Sequence, residues 1–380
     1  MEVFKGRLKV KPEDFQVQEV LDLEFDDQGP YSYYLLWKRG MNTMAVLDTV
    51  SRRWKVTRDR MGFCGLKDKR AVTTQYISIA GGPEEDLEGE NFRLTFLGKG
   101  SRPLQIGDAA GNVFTVRLRN VSPREITEAL SLVREIGFVN YFGEQRFASD
   151  LSMEKPMLRY LLEGDFETAL REYFAHHPLW KRSLSGKRID WKGLLAVDGV
   201  PAVEKAVLRT YLRKGDAERA LRVLPKPVKL LFFFSYQSLL WNRAVSRFVR
   251  RFSPSFCVPF VRGEVLCFYT DPGPLLSQGG DLMVPFISKE AIHWDGPAPL
   301  KEEILRVVEE EGIVGKLDAE VLGLKVFSPG QRRLIATVRD LKVVNRGKRS
   351  LTLRFFLASG SYATVFLLKV LTFPKRFTRD

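Results

Sequence analysis

The alternation of apolar and polar side chains that is typical of half-buried β-strands recurs near both ends of this chain. Near the start it is found in residues 7–20 and 31–40. Near the end, residues 341–344 and 351–357 predict two strands joined as a hairpin around the Asn-Arg-Gly of residues 345–347. Because a long stretch with other patterns separates the two ends, we expect a mixed sheet that is interrupted by an insertion.

The middle of the chain differs in pattern and in composition. Residues 151–250 are richer in helical patterns, and residues 253–329 are dominated by proline, glycine and short apolar runs, as in a small mixed α/β module. With 380 residues, 44% of them hydrophobic, the chain exceeds what one core usually organises, so two domains are expected. The sequence predicts the first part of one domain in residues 1–150, an inserted domain in residues 151–330 and the rest of the first domain in residues 331–380.

Two helices are predicted from the signals at their ends. Asn42 is a suitable N-cap for a helix whose apolar positions include Val50 at helical spacing. Residues 122–125, Ser-Pro-Arg-Glu, have the pattern of a capping box with proline at the first helical position, and Gly137 ends that helix.

The net charge favours a polyanionic partner. Lysine and arginine number 60 against 46 aspartates and glutamates, which gives a formal charge of +14 at pH 7. Such a balance favours nucleic acid first and an acidic membrane surface second. The longest apolar run, residues 230–234, is far too short to cross a bilayer, and the N-terminus lacks the apolar core of a signal peptide. A soluble, cytoplasmic protein is therefore expected.

The cysteines and histidines argue against several kinds of site. Cys64, Cys257 and Cys267 are odd in number and include no C-x-x-C pair, so neither a disulfide framework nor a tetrahedral zinc cluster is expected. The three histidines lie in no zinc-binding pattern, which disfavours a zinc-dependent nucleobase deaminase. Since neither a P-loop nor a dinucleotide-binding glycine motif occurs, the sequence shows no binding site for a nucleotide cofactor.

One carboxylate lies inside a basic cluster in the segment GLKDKRAVTTQ, residues 65–75. Asp68 is flanked by Lys67, Lys69 and Arg70, just ahead of a predicted strand. Beside these cations it is expected to be an anion at neutral pH, which suits a nucleophile or a stabiliser of a cationic sugar-like transition state. The alternative is a turn aspartate that caps its own backbone.

A second cluster combines aromatic and polar side chains in residues 140–150, NYFGEQRFASD. Asn140, Phe142 and Arg146 are of the types that stack on a flipped base and reach its edge or the phosphate. The alternative is that the aromatic residues belong to the core. Residues 237–242, QSLLWN, are predicted to lie on an amphipathic helix, where their polar side chains are either helix-packing groups or RNA contacts.

Further cations are candidates for contact with phosphate groups. The strand GNVFTVRLR, residues 111–119, places two arginines on the face opposite its apolar residues. The basic residues of the segment KRSLSGKRIDWK, residues 181–192, are either a phosphate-contact surface or a solvated face. The candidates for RNA binding are Lys67, Arg70, Arg117, Arg119, Arg146, Lys181, Arg182, Lys187 and Arg188.

Several of these segments together resemble the TruD family of tRNA pseudouridine synthases. The matching segments are KPEDFQVQE, GLKDKRAVTTQ, GNVFTVRLR, NYFGEQRF, QSLLWN and GSYATV, which follow in the family's order between residues 9 and 365. Several long motifs in order are a stronger signal than any single short pattern. The resemblance implies an α+β fold with a catalytic core around a mixed, mainly antiparallel sheet and a family-specific inserted α/β domain.

The resemblance also implies an enzyme that isomerises uridine to pseudouridine in tRNA, at the uridine of position 13, without cofactor or metal. Asp68 occupies the position of the family's catalytic aspartate, and Lys9 that of a lysine that can pair with it. Phe142 matches the aromatic residue that stacks on the target uracil, and Asn140 matches an amide that supports the catalytic acid. We expect tRNA as the partner, with other RNAs left open, and a monomer. Whether the aspartate attacks the sugar or the base stays open.

Two other functions fit parts of the pattern. A non-catalytic RNA-binding or RNA-chaperone protein would use the same basic groove, but the presence of all four implied site residues disfavours it. A base-excising glycosylase breaks the same first bond, but it usually needs a second carboxylate to activate water. Glu144 is the nearby candidate in the motifs, and a structural role is expected for it. We therefore predict a pseudouridine synthase.

Overall fold

The computed structural model describes residues 2–147, 153–177, 179–180, 189–271, 273 and 281–373. The chain divides into two units: the first combines Met1–Val139 with Ile335–Asp380, and the second is Asn140–Leu334. The predicted domain boundary between residues 150 and 151 falls outside the described residues, and the predicted domain limits stay a prediction.

The strands of the described residues are numbered in chain order. They are β1 Phe15–Val20, β2 Tyr31–Arg39, β3 Met61–Phe63, β4 Val72–Ala80, β5 Leu87–Gly89, β6 Phe92–Gly100, β7 Gly111–Arg119, β8 Phe138–Val139, β9 Ser255–Pro259, β10 Val265–Tyr269, β11 Met283–Pro285, β12 Glu320–Val321, β13 Leu324–Lys325, β14 Gln331–Arg333, β15 Ile335–Ala336, β16 Arg339–Gly347 and β17 Ser350–Ala358.

The α-helices are numbered in the same way. They are α1 Thr43–Trp54, α2 Pro123–Ile136, α3 Met157–Glu163, α4 Phe166–Ala175, α5 Trp191–Leu195, α6 Ala202–Lys214, α7 Ala217–Arg222, α8 Lys226–Phe252, α9 Lys289–Ile292, α10 Ala298–Glu310 and α11 Ala363–Thr372. Short 3₁₀ helices cover Glu2–Phe4, Pro12–Asp14, Arg58–Arg60, Glu144–Phe147, Val261–Gly263 and Val314–Lys316. No helix among the described residues is both long enough and apolar enough to cross a membrane.

One mixed sheet organises the first unit. Among the described residues it has nine strands, in the order β16-β17-β7-β1-β4-β2-β6-β5, with β3 paired to β4 beside this path. β1 and β4 are parallel, and the other neighbouring strands are antiparallel. The prediction of an α+β fold with a mixed, mainly antiparallel sheet is confirmed.

Helix α1 covers one half of one face of this sheet. Its N-cap is Asn42, as predicted, and the Asn42 side chain accepts a hydrogen bond from the backbone N–H of Met44 at 2.9 Å. Val46, Leu47 and Val50 lie on one side of the helix and are fully buried in one cluster with side chains of β2 and β4. Helical spacing thus places the apolar stripe on the sheet.

Helix α11 covers the same face on the other half of the sheet. The rings of Phe114 in β7 and Phe355 in β17 are stacked with their centroids 5.3 Å apart. Phe366 of α11 contacts Phe355 edge-on at 4.7 Å. Helix α2 begins as predicted, with Ser122 as N-cap and Pro123 at the first helical position.

The central part of this face, between the halves covered by α1 and α11, carries buried polar side chains. The pairing register places Lys38 opposite Thr73, and Thr73 opposite Val17, so all three point to the same side of the sheet. Lys38, Thr73 and Gln75 are fully buried, and Glu19 is 2% exposed. This core face therefore has a polar strip in its centre.

The hairpin of β16 and β17 forms, but its turn differs from the prediction. Gly347 pairs with Ser350, so the turn residues are Lys348 and Arg349. The prediction of a turn at residues 345–347 is wrong because β16 continues through them. An irregular register further back in β16 shifts the pairing, and single-sequence patterns do not show such a shift.

In the second unit, QSLLWN lies on α8, a helix of 27 residues, as predicted. The antiparallel strands β9 and β10 follow it and place Cys257 directly opposite Cys267, and a disulfide joins the two. The cysteine pattern disfavoured a disulfide framework, and it did not predict this single pair. The hairpin register brings the two Cα atoms to 4.0 Å, although their separation of ten residues in the sequence gave no sign of it.

Candidate active site

Asp68 lies in the segment that leads from β3 to β4 and forms an ion pair with Lys9. The Lys9 Nζ atom is 3.1 Å from Oδ2 of Asp68, and the two side chains are 17% and 24% exposed. Both groups are therefore partly shielded from water but still accessible. The Asp68 carboxylate is thus still accessible to a substrate.

Lys9 is held in an unusual conformation. Its φ of 53° lies in the left-handed region, which residues other than glycine adopt rarely. The Nζ atom also lies 4.2 Å from the centroid of the Phe15 ring. The ammonium group is thus fixed between an aromatic ring and the Asp68 carboxylate. A strained residue kept in place by its surroundings is often part of a functional site.

The backbone of Asp68 is anchored by Lys38, a residue that the sequence analysis missed. The Lys38 Nζ donates hydrogen bonds of 2.9 Å to the carbonyl oxygens of Met41 and Asp68. The side chain is fully buried. Burial lowers the pKa of Lys38 to about 8, although the negative charge of Asp68 acts in the opposite direction. Tyr34, Leu36 and Lys38 alternate along β2 and therefore point to the same, buried face of the sheet. This alternation could have identified Lys38 as a buried residue.

Glu19 of β1 holds the same segment through Lys67. Its carboxylate accepts hydrogen bonds from the Lys67 ammonium group and, at 2.9 Å, from the backbone N–H of Tyr76. The Glu19 side chain is fully buried, and that of Lys67 is 9% exposed. A buried carboxylate needs such partners because its desolvation is costly. Lys67 was predicted to contact RNA phosphate groups, and its ammonium group here binds the Glu19 carboxylate.

A third anchor is Gln75 of β4. Its side-chain N–H group donates to the carbonyl oxygen of Gly65 at 3.2 Å, and its carbonyl oxygen accepts from the Thr43 hydroxyl at 2.9 Å. Three buried polar side chains of the sheet thus hold the segment around Asp68. Lys38 and Gln75 bind its backbone, and Glu19 binds the Lys67 side chain. A rigid support of this kind keeps a reactive group in one orientation.

The second unit contains Asn140 and Phe142, which are 6% and 5% exposed. The Phe142 ring meets Trp241 edge-on with a centroid distance of 5.6 Å and packs against Phe286 at 5.8 Å. The aromatic side chain is therefore largely embedded. Its backbone N–H and carbonyl groups exchange two 2.9 Å hydrogen bonds with the side-chain amide of Asn242. Of the two interpretations of QSLLWN, helix packing accounts for Asn242.

Arg332 joins Asn140 to Phe142 and was also missed. Its guanidinium group donates to the Asn140 side-chain oxygen at 2.8 Å and to the Tyr141 carbonyl oxygen at 3.2 Å. The same group lies 4.2 Å from the centroid of the Phe142 ring. Arg332 is only 8% exposed. The contacting residues are about 190 positions apart, so only the fold reveals them.

A recess of about 170 Å³ adjoins Phe142. Phe234 and Phe286 contribute further aromatic rings to its lining, and Gln237 and Arg146 contribute polar groups. The guanidinium group of Arg146 donates to the Ser238 hydroxyl at 3.2 Å and lies 5.2 Å from the Phe234 ring centroid. Aromatic faces beside amide and guanidinium groups are the chemistry with which proteins recognise unstacked bases.

The other predicted RNA-binding residues have different surroundings. Arg70 and Arg117 are exposed. Arg119 binds both carboxylate oxygens of Asp14, at 2.8 and 2.7 Å. The remaining four candidates, Lys181, Arg182, Lys187 and Arg188, lie outside the described residues.

Comparison with known proteins gives consistent results. A family model described as tRNA pseudouridine synthase D (TruD) matches residues 1–283. The chain is similar to the tRNA pseudouridine synthase D of Aquifex aeolicus, with 37% identity over 96% of this chain and 97% of that protein. It is also similar to the probable tRNA pseudouridine synthase D of Pyrococcus furiosus, with 31% identity over 96% and 95% of the two chains. A solved structure of the putative TruD protein from Methanosarcina mazei has the same fold, with a TM-score of 0.66 and 24% identity over 96% and 93% of the two chains.

Proposed function

The chain belongs to the TruD family of tRNA pseudouridine synthases, and on this premise we propose how its site works: Asp68 is the carboxylate with which it isomerises uridine to pseudouridine in tRNA. The observation that carries the proposal is the 3.1 Å pair of Asp68 with Lys9. Asp68 lies on a segment that three buried polar side chains anchor.

The reaction needs one persistent negative charge beside the ribose. The bond between N1 of uracil and C1′ of ribose breaks, the base turns, and C5 bonds to C1′. The proton on C5 leaves and N1 gains one, so that the product is an isomer of the substrate. An ionised carboxylate serves as nucleophile, on sugar or base, or stabilises positive charge that develops at C1′. The Lys9 Nζ atom lies 3.1 Å from the Asp68 carboxylate, and its positive charge suits a polyanionic substrate.

We propose that Phe142 stacks on the uracil and that Asn140 supplies an amide group close to the reacting nucleotide. The side-chain oxygen of Asn140 accepts from Arg332, which fixes its orientation and leaves its NH₂ group as the donating end. The recess beside Phe142 supports the first assignment, because its aromatic and amide lining suits a base.

We also propose finer features of the substrate and of the enzyme. We infer that the modified uridine is that of position 13. We further infer that residues 151–330 form the inserted domain, and that the enzyme works as a cytoplasmic monomer without cofactor or metal. The formal charge of +14 supports a nucleic-acid substrate. A tRNA transcript with cytidine in place of uridine 13 should then gain no pseudouridine, whereas modification elsewhere in it would contradict the assigned position.

The assignment of Asp68 is tested with Asp68→Asn, which keeps the shape of the side chain and removes its charge. We expect loss of pseudouridine formation in transcribed tRNA, with affinity for the tRNA nearly unchanged. Asp22→Asn, at an exposed position of the same unit, is the matched control and should retain activity. If Asp68→Asn still converts uridine, another residue carries the chemistry. If the original chain, without any substitution, binds tRNA but converts no uridine, the alternative of a non-catalytic RNA-binding protein is correct.

A further inference from the structure

On the face of the sheet opposite to the core face, each of the strands β7, β17 and β16 carries a solvent-exposed cation. Arg117, Arg354 and Lys342 project from this face and are all exposed. The pairing register places Arg354 directly opposite Lys342, and Arg117 opposite Thr352, two residues along β17 from Arg354. Three cations therefore lie on adjacent positions of three neighbouring strands. We call Arg117, Lys342 and Arg354 the basic sheet face.

The basic sheet face has like charges where opposite charges would be stabilising. Side chains directly opposite each other in an antiparallel pair have Cβ atoms about 5 Å apart, and like charges there are destabilising. Among the described residues, none of the three cations forms an ion pair or a side-chain hydrogen bond. Arg117 lies within the field of Asp14, but both carboxylate oxygens of Asp14 bind Arg119.

Other arginines of the same unit behave differently. Arg39 pairs with Glu13, and Arg102 pairs with Asp108 at 2.8 Å. Arg93 lies 3.2 Å from Glu88. Each of these three arginines has an acidic neighbour, whereas the three cations of the basic sheet face have none within ion-pair distance among the described residues. A cluster without internal compensation is suited to an external polyanion.

A row of paired residues connects the basic sheet face with the strand that follows Asp68. Arg354 pairs with Thr115, Thr115 with Gln16, and Gln16 with Val72, the first residue of β4. This row runs along the face opposite to that of Lys38 and Thr73, from the edge of the sheet to the strand that Asp68 precedes by four residues. Neighbouring strands are about 4.8 Å apart, so four steps from Lys342 reach Val72 in roughly 19 Å. Gln16 and Thr115 add neutral hydrogen-bonding groups along the row.

We propose that the basic sheet face binds the phosphate backbone of the tRNA substrate, outside the nucleotide that is modified. This proposal rests on the proposed function. Backbone contacts of this kind set the position and orientation of an RNA without reading its sequence. The contact supplies affinity, and the chemistry at Asp68 does not require it once the RNA is bound.

The test uses a triple variant of the full-length chain, Arg117→Gln, Lys342→Gln and Arg354→Gln. A matched control, Arg213→Gln, Lys214→Gln and Lys226→Gln, removes the same charge from exposed positions of the second unit. Dissociation constants for tRNA are measured over a series of KCl concentrations, together with kcat and KM. For the first variant we expect the slope of log K against log salt to decrease in magnitude by about 2 to 3, because each lost phosphate contact removes about 0.7 to 1.

We further expect kcat at saturating tRNA to remain within about twofold of the original value, and the control to keep the original slope. Arg117→Lys with Arg354→Lys retains the charges and should also keep the slope. Since the triple variant relieves like-charge repulsion, its melting temperature should be unchanged or raised. The proposal is overturned if the salt slope of the first triple variant is unchanged. It is also overturned if the slopes of both triple variants decrease equally. A protein that binds tRNA without converting uridine refutes the proposed function, and the salt slopes still decide this proposal.

Discussion

The ammonium group of Lys38 lies 2.9 Å from the backbone carbonyl oxygen of Asp68 and 2.9 Å from that of Met41. A fully buried lysine that donates to two carbonyl oxygens fixes the backbone on which the proposed catalytic carboxylate stands. Lys38 is therefore a positioning residue in our interpretation, and it acts through Asp68.

We predict that Lys38→Met lowers kcat by about 100-fold and changes KM little, because a displacement of the order of 1 Å at a reacting group costs about this factor. Single-turnover pseudouridine formation at saturating tRNA measures it. Lys99→Met is the control, because Lys99 lies on β6 of the same sheet at a partly exposed position. A folded Lys38→Met protein with the original kcat would contradict a positioning role.

Lys38 also predicts how stability depends on pH. Its pKa falls to about 8 in the folded chain from an ordinary value of 10.5, so the unfolded chain holds a proton that the folded chain lacks between these values. Stability should therefore rise with pH in this window, by up to about 1.4 kcal/mol per pH unit. The charges that bear on Lys38 are those of Asp68 and Lys67.

The measurement is urea unfolding of the original chain and of Lys38→Met at pH 7.5, 8.5 and 9.5. Groups common to both proteins cancel in the difference of their free energies of unfolding. That difference should shift in favour of the original chain as the pH rises. A constant difference across the three pH values would show that Lys38 does not change its protonation on unfolding.

Sequence patterns predicted the parts of this fold that depend on local signals. Asn42 and Ser122 cap helices as predicted, because caps are determined within four residues. The motif around Asp68 and the strand after it were also visible. Lys38 was overlooked because only the apolar residues of the strand were used to predict its buried face. Its position, two residues after Leu36, places it on that same face. Arg332 could not be predicted, because its partners come from a segment about 190 residues away and only tertiary folding brings them together.

We predict that Arg332→Lys destabilises the second unit and lowers activity. Lysine keeps the charge but cannot bind Asn140 and Tyr141 with one planar group. Leaving these buried groups without their partner should cost about 3 kcal/mol. Arg333→Lys is the control, since the neighbouring Arg333 is 60% exposed and should change stability by less than about 0.5 kcal/mol.

Denaturant unfolding and tryptophan fluorescence together measure this effect. Trp241 lies edge-on to Phe142 and 5.8 Å from the guanidinium carbon of Arg332, so its emission should change in Arg332→Lys and not in Arg333→Lys. Equal stability of the two variants would show that Arg332 does not hold the segment.

The disulfide predicts how many cysteines react. Protein purified without reductant and unfolded in guanidinium should expose one thiol, that of Cys64, because Cys257 and Cys267 are joined. In the folded protein even this thiol should be inert at pH 8. Burial raises the pKa of Cys64 to about 12, helped by the negative charge of Glu19, and a thiol that stays protonated is a poor nucleophile.

A thiol-reactive chromophore counts these groups, and reduction followed by unfolding should raise the count to three. The disulfide closes a short loop, so reduction should lower the free energy of unfolding by about 3 kcal/mol at most. The double variant Cys257→Ser with Cys267→Ser should show the same loss and no longer respond to reductant. Three reactive thiols before reduction would mean that the two cysteines remain unpaired, as a reducing cytoplasm favours. The packing of β9 on β10 would then rest on backbone hydrogen bonds and side-chain contacts alone.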